Sequence, residues 1–295
     1  SFCCFTTMWL IGILEILGAA QAAMISRIPI SHCHGGEATE GLIDEPIRHS
    51  ITKMSHLHFT ATEPYRNRVI QLGEQPNRVF NVGALGIENI NRLDLMSKEA
   101  FEASIDFKLK SKNLLVTFHP VTLENATSEV QFKALLKALD ELEDTGIIIT
   151  KPNADTDGRV IIDLIDQYVV DTKDKAIAFT SLGQKRYLSA LQYMDAVVGN
   201  SSSGLIEVPS YQIATIDIGD RQKGRIKADS VINCDPTYES IQGALAKVYE
   251  KDFLEDLKQV ANPYGTANPS AKIIEEIKNV DLDNILKKAF YDIKL

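Results

Sequence analysis

Basic residues, cysteines and long uncharged apolar runs are what this sequence has little of. Lysine and arginine number 31 against 40 aspartates and glutamates, a formal net charge of −9 over 295 residues. That balance excludes a general nucleic-acid-binding face, although an acidic chain can still carry a local phosphate site. Four cysteines, Cys3, Cys4, Cys33 and Cys234, are too few for a disulfide scaffold and lack metal-ligand spacing. A reducing, cytoplasmic compartment is therefore expected. With 17 glycines and 10 prolines the chain is not collagen-like, and it shows no internal repeat or low-complexity segment. The longest apolar stretch, Met8–Ile25, contains Glu15 and Gln21 and has no basic residue before it. A signal peptide or membrane anchor is thus disfavoured, and the Ala-rich part predicts a close-packed buried helix. Residues 1–7 carry no element signal and no initiator methionine.

What is present is a globular composition, 44% hydrophobic and 24% charged, which excludes wholesale disorder and a multi-span membrane protein. At roughly 100–200 residues per domain, the length predicts two domains. Strand and helix signals alternate. Strands are expected at Ile28–Ser31, His56–Thr60 and Val79–Val82, with helices at Ile43–Met54 and Glu63–Leu72 between them. Residues 89–113 are polar and charged. A second series follows, with strands at Leu114–Phe118, Ile147–Thr150, Ala176–Phe179, Ala196–Val198, Thr215–Ile218 and Val231–Cys234. Its helices are expected at Ser128–Leu142, Val160–Val169, Lys185–Met194 and Leu205–Tyr211, with helices filling the chain from Tyr238 to the end. Such alternation implies α/β architecture with parallel sheets, and ligands in these sheets sit beyond the carboxyl ends of the strands.

Four motifs fall at those ends. Val197-Val198-Gly199-Asn200-Ser201-Ser202-Ser203-Gly204 runs a buried strand into a glycine and serine turn before a helix. Backbone N–H groups and serine hydroxyls there suit an anion, or simply cap the helix. Gly219-Asp220-Arg221-Gln222-Lys223-Gly224-Arg225 follows the next strand and holds three cations able to neutralise a diphosphate. Thr117-Phe118-His119-Pro120 ends the first strand of the second series, where a histidine can donate to phosphate or move a proton. His32-Cys33-His34-Gly35-Gly36-Glu37, continuing through Glu40, Asp44, Glu45, Arg48 and His49, gathers carboxylates and histidines able to divide acid and base roles. His-x-His at 32/34 and 56/58 raises zinc as a competing reading, but the spacing is unspecific, and no metal is expected.

In sequence order, His34-Gly35-Gly36-Glu37, the run Ile43–Leu57, Phe118–Thr122, Gly199–Gly204, Gly219–Arg225 and Asn262-Pro263-Tyr264-Gly265 resemble the hydrolysing UDP-N-acetylglucosamine 2-epimerases of sialic- and legionaminic-acid precursor type. The resemblance runs from about Glu15 to the C-terminus. It implies a GT-B fold of two Rossmann-like domains with parallel sheets. Residues 1–105 would form the first, incomplete domain, residues 106–278 the UDP-binding domain and residues 279–295 a C-terminal helix. It also implies elimination of UDP across C1–C2, then water addition with inversion at C2, with no cofactor.

By motif position, Asp44, Glu37, His34 and His119 match catalytic groups. Ser201, Ser202 and Arg221 match diphosphate ligands and Glu207 a ribose ligand, with Asn200 and Arg48 also on the substrate side. His34 stands where some relatives carry glutamate. The family's Gly-Asp-Arg-aromatic-Glu run is replaced here by Ile11–Glu15, which a frameshift within the codons for residues 9–13 would produce. With the family's first βα units also missing ahead of it, a truncated, catalytically dead chain is expected. The expected partner is a UDP-sugar, with self-association of the full-length protein and with neither nucleic acid nor membrane. Two other readings stand beside the hydrolysing epimerase: a GT-B glycosyltransferase and a non-catalytic UDP-sugar binder.

Overall fold

Short β-branched runs become the strands of two separate, wholly parallel sheets. The computed structural model describes residues 3–5, 13–40, 42–121, 127–153, 156–265 and 268–293, without the side chains of 3–5, 156 and 157. Gly41, Thr122 and the stretch in place of the family's Asp-Arg pair, up to residue 12, lie outside the described residues. Two compact units result: Ser1–Asn91 with Pro263–Leu295, and Arg92–Asn262.

Unit 1 begins with β1 (Cys3–Phe5), a strand where the sequence showed no signal, then α1 (Ile13–Ile25) and β2 (Ile30–Cys33). It continues with α2 (Asp44–Met54), β3 (Leu57–Thr60), α3 (Glu63–Gln71), β4 (Val79–Asn81) and α4 (Leu85–Arg92). The sheet order is β1-β2-β3-β4. The α1 helix buries one face only. Ile16, Ala20 and Ala23 pack with Ile47 and Ile51 of α2, while Leu14 and Ile25 are exposed. The close-packed buried helix expected over Gly18–Ala23 is therefore packed on one face and exposed on the other. Among the described residues no helix is long and apolar enough to cross a membrane.

Unit 2 holds α5 (Lys98–Ile105), β5 (Lys112–Thr117), α6 (Ser128–Asp140), β6 (Thr145–Thr150), α7 (Thr156–Asp171), β7 (Ala176–Phe179) and α8 (Gly183–Leu191). After them come β8 (Ala196–Gly199), α9 (Ser203–Ile206), β9 (Ala214–Ile218), β10 (Val231–Cys234), α10 (Tyr238–Val248) and α11 (Lys251–Leu257). Its order, β10-β9-β8-β5-β6-β7, is the doubly wound Rossmann arrangement. The direction of winding reverses between β5 and β8, which is where such sheets hold ligands. Leu114, Val116, Ile147, Ile149, Val198 and Ile216 fill the core between sheet and helices.

The boundaries differ from those read in the sequence. The α5 helix belongs with unit 2, where Phe101 packs on Tyr193 with ring centroids 6.1 Å apart and the Tyr193 hydroxyl donates to Met96 O. The final helix, α12 (Pro269–Asn279), belongs with unit 1. There Glu88 of α4 accepts from Ser270 N and Oγ at 3.2 and 2.6 Å, and the Tyr65 and Tyr264 hydroxyls pair at 3.1 Å. Among the described residues, the C-terminal helix expected over 279–295 is not formed. Described residues beyond Asn279 make turns and extended chain. Asn284 has positive φ, Tyr291 N donates to Gly73 O, and Lys288 donates to Ser55 O and to Glu74. These tertiary bonds take the backbone and side-chain groups that a helix would have oriented otherwise.

Candidate functional site

At the switch point of unit 2, Thr117 of β5 lies in register with Gly199 of β8, and Gly199 with Asp217 of β9. Three of the sequence motifs therefore leave adjacent strands at one sheet edge. Gly199 has φ of +139°, and a Cβ there would stand 2.0 Å from Thr117 O. Only glycine permits that approach. Asn200 follows, 1% exposed, and its side-chain amide clasps the His119 backbone. Oδ1 accepts from His119 N at 2.7 Å, and Nδ2 donates to His119 O at 2.8 Å. The Asn200 carbonyl accepts from Arg221 Nη1 at 3.0 Å and Gln222 Nε2 at 2.8 Å. His119, the serine turn and the Arg221 loop are thus brought together, as their strand-end positions implied.

The turn itself is tighter than the sequence suggested. The helix expected over Leu205–Tyr211 is a single α-turn, α9, followed by a 3₁₀ turn at Val208–Tyr211. Pro209 lacks the N–H that would continue the α-ladder. Ser201 Oγ accepts from Ser203 N at 3.4 Å, and Ser203 Oγ pairs with the Tyr187 hydroxyl. Ser202 is half-buried and Glu207 buried. Burial and the nearby Glu207 carboxylate push the Tyr211 phenol up to about 12 and the Tyr187 phenol in the same direction. Burial, reinforced by the Arg221 charge, holds the His119 imidazole down at about 3, so it is neutral at physiological pH. A neutral imidazole beside a guanidinium can donate one hydrogen bond without adding charge.

In unit 1 the glycine-rich loop leaves the carboxyl end of β2. His34 takes a left-handed conformation with φ of +64°, which costs a non-glycine residue about 1–2 kcal/mol. Gly36, at φ of +80°, admits no side chain, since a Cβ would lie 2.3 Å from Tyr65 O. The loop so bent sets His34 Nδ1 2.7 Å from Glu37 Oε1, with Glu37 buried. Arg68 fixes the bend by donating to Gly36 O. Asp44 stands half-buried as the first residue of α2. Arg48, one turn on, is buried and donates to Glu45 Oε2 and Thr39 Oγ1, both at 3.1 Å, and to Glu37 O at 3.3 Å. Its visible role is to brace the loop.

Glu45, which the sequence placed in the ionisable cluster without a role of its own, is the hub of the loop's brace. It accepts from Thr39 N at 2.6 Å and from Arg48, and its second oxygen meets His49 Nε2 at 3.2 Å. Burial disfavours its anion, but the Thr39 amide, Arg48 and His49 outweigh that and lower its pKa. The spacing Glu45, Arg48, His49 on one helix face was the available signal. Gln222 and Tyr187 carried no signal.

The second histidine pair serves packing. His56 Nδ1 accepts from Ile30 N, and His58 Nε2 meets Glu74 at 2.9 Å beside Lys53 and Lys288. Among the described residues no group of three or more His, Cys, Asp or Glu is placed to hold a metal. Cys33 is buried and Cys234 half-buried.

A family model described as UDP-N-acetylglucosamine 2-epimerase matches residues 13–278. The chain is 41% identical over 280 residues to the Campylobacter jejuni GDP/UDP-N,N'-diacetylbacillosamine 2-epimerase (hydrolyzing), spanning 95% of this chain and 72% of that protein. It is equally 41% identical over 281 residues to polysialic acid biosynthesis protein P7 of Escherichia coli, spanning 95% and 71%. Among solved structures, S. aureus MnaA with UDP superposes with a TM-score of 0.75 at 18% identity, over 99% of this chain and 78% of that one. The Neisseria meningitidis UDP-GlcNAc 2-epimerase bound to UDP-GlcNAc gives 0.75 at 17%, over 90% and 73%. At those identities the likeness shows the fold: α/β with two parallel sheets, GT-B-like.

Proposed function

Because the chain belongs to the UDP-N-acetylglucosamine 2-epimerase family, we propose, in place of the inactivity expected from its sequence, that it converts UDP-N-acetylglucosamine and water to N-acetylmannosamine and UDP. The observation that carries this reading is the convergence of the serine turn, His119 and Arg221 on Asn200 at the switch point of unit 2. In that reading Ser201, Ser202 and Arg221 hold the diphosphate and Glu207 the ribose.

Asp44 or the His34–Glu37 pair takes the proton from sugar C2. The C1–O bond breaks, and its electron pair leaves on the diphosphate. Neutral His119 donates a hydrogen bond to the departing anion, whose charge Arg221 balances. Water then supplies hydroxide to C1 and a proton to the opposite face of C2, which inverts that centre. The sequence is redox-neutral and calls for no electron-carrying cofactor. The family resemblance carries with it a cytoplasmic location and self-association.

A second substrate reading has its own support. A relative at 41% identity is named for diacetylbacillosamine, whereas the Neisseria meningitidis protein named UDP-N-acetylglucosamine 2-epimerase is 33% identical. Assaying UDP release and free sugar from both nucleotide sugars decides between them. Release that depends on an added acceptor would instead indicate a glycosyltransferase.

Arg221 gives the binding test. Removing one charge-assisted contact costs about 1.5–3 kcal/mol, so Arg221→Ala should weaken UDP binding roughly ten- to hundredfold by calorimetry. Unchanged affinity would contradict the diphosphate assignment.

A further inference from the structure

Asn200 occupies the meeting point of three loops, yet it is 1% exposed and both ends of its amide are engaged with the His119 backbone. Its own N–H donates to Thr117 O at 3.1 Å, and its carbonyl takes two donors from the Arg221 loop. We infer that Asn200 is a positioning residue, which holds His119 and Arg221 in the geometry that meets the diphosphate without touching substrate itself. The inference rests on the functional reading above.

The chemistry of the clasp is narrow. A backbone N–H only donates and a backbone carbonyl only accepts, so the two bonds fix which end of the amide is oxygen. A donor and an acceptor side by side at this reach are what a primary amide on one methylene supplies. Aspartate would set a second acceptor 2.8 Å from His119 O. Glutamine is one methylene too long for a backbone that Gly199 already presses onto Thr117. Gln222, also 1% exposed, anchors the far side by donating to the Asn200 carbonyl. The same carbonyl pins one arm of the Arg221 guanidinium. One residue therefore couples β5, β8 and β9 at their carboxyl ends, over sequence separations of 81 and 21 residues. Buried hydrogen-bond networks of this kind favour one arrangement and loosen when a single member changes.

The test compares the wild-type chain with Asn200→Asp and Asn200→Ala, reading UDP affinity by calorimetry and His119 titration by NMR. His119→Ala identifies the resonance. Both variants should bind UDP about tenfold more weakly. In both, the His119 imidazole should titrate nearer 6.5 than about 3, as the loosened turn hydrates the ring and moves it from Arg221. A merely structural role would lower the melting temperature and leave that titration in place. Should the Asn200 variants fail to fold, Gln222→Met removes one donor from the Asn200 carbonyl and should still weaken UDP binding several-fold. Wild-type-like UDP affinity and an unmoved His119 titration in the Asn200 variants, or unchanged affinity in Gln222→Met, would overturn the inference. A wild-type chain that binds no UDP would instead overturn the functional reading, while the His119 titration still reports on the clasp.

Discussion

Asp44→Asn is expected to lower turnover of UDP-N-acetylglucosamine by about 10²–10⁴-fold, the usual contribution of a positioned acid or base, while UDP affinity stays close to wild type. Asp44 opens α2 in unit 1, after a loop whose path is fixed by Gly36, Arg68 and the Arg48–Glu45–Thr39 brace. The asparagine is isosteric and neutral, so that brace should survive and only proton transfer should be lost. His119→Ala should also act on turnover, because in the proposed step its neutral imidazole meets charge that develops as the diphosphate leaves. Steady-state kinetics of UDP release, set beside calorimetry with UDP, separate the two effects. Wild-type turnover in either variant of an active protein would remove that residue from the mechanism.

Acidification should destabilise the protein steeply below about pH 6.5. Burial lowers His32 well below its ordinary value, takes His56 to about 4, lowers His58 despite its bond to Glu74, and takes His119 to about 3. The unfolded chain takes up protons near pH 6.5, whereas these folded-state imidazoles do not. Their contribution is therefore complete above that pH and is lost as pH falls toward the folded values. Each adds a slope of about 1.4 kcal/mol per pH unit inside its window. Burial works against the Glu74 anion, but His58, Lys288 and Lys53 hold it at about 2, so its share is lost between pH 4.5 and 2. Against a typical total stability of about 5–15 kcal/mol, that loss is large enough to lower the unfolding midpoint measurably in mild acid. Denaturant melts from pH 8 to 4.5 should show a plateau above pH 7 and a falling midpoint below 6.5. A midpoint constant from pH 8 to 5 would contradict these assignments.

Much of the fold was legible because its strands are short β-branched runs between glycine-bearing turns. The strands at Ala176–Phe179 and Val231–Cys234 fall where the pattern put them, and the others shift by one or two residues. The motifs at the strand ends were legible for the same reason, since a parallel sheet delivers every such end to one edge. Two helices within and beside the polar stretch 89–113 were not. The α4 and α5 helices have eight residues each, with polar outer faces and too few turns to establish a period.

Contacts distant in sequence were equally hidden. Asn200 and His119 are 81 residues apart, and the Lys288–Glu74 pair 214. Nothing local marks either. The C-terminal stretch read as helix from its composition, while long-range bonds to Gly73 and Glu74 decide its path.

The central claim, elimination of UDP followed by water addition at the opposite face of C2, is tested most directly by running the reaction in deuterium oxide and reading the sugar by NMR. The account requires UDP and N-acetylmannosamine bearing deuterium at C2, because the proton that leaves one face is replaced from solvent on the other. Release of N-acetylglucosamine with its C2 proton retained, or of N-acetylmannosamine without deuterium, would contradict it.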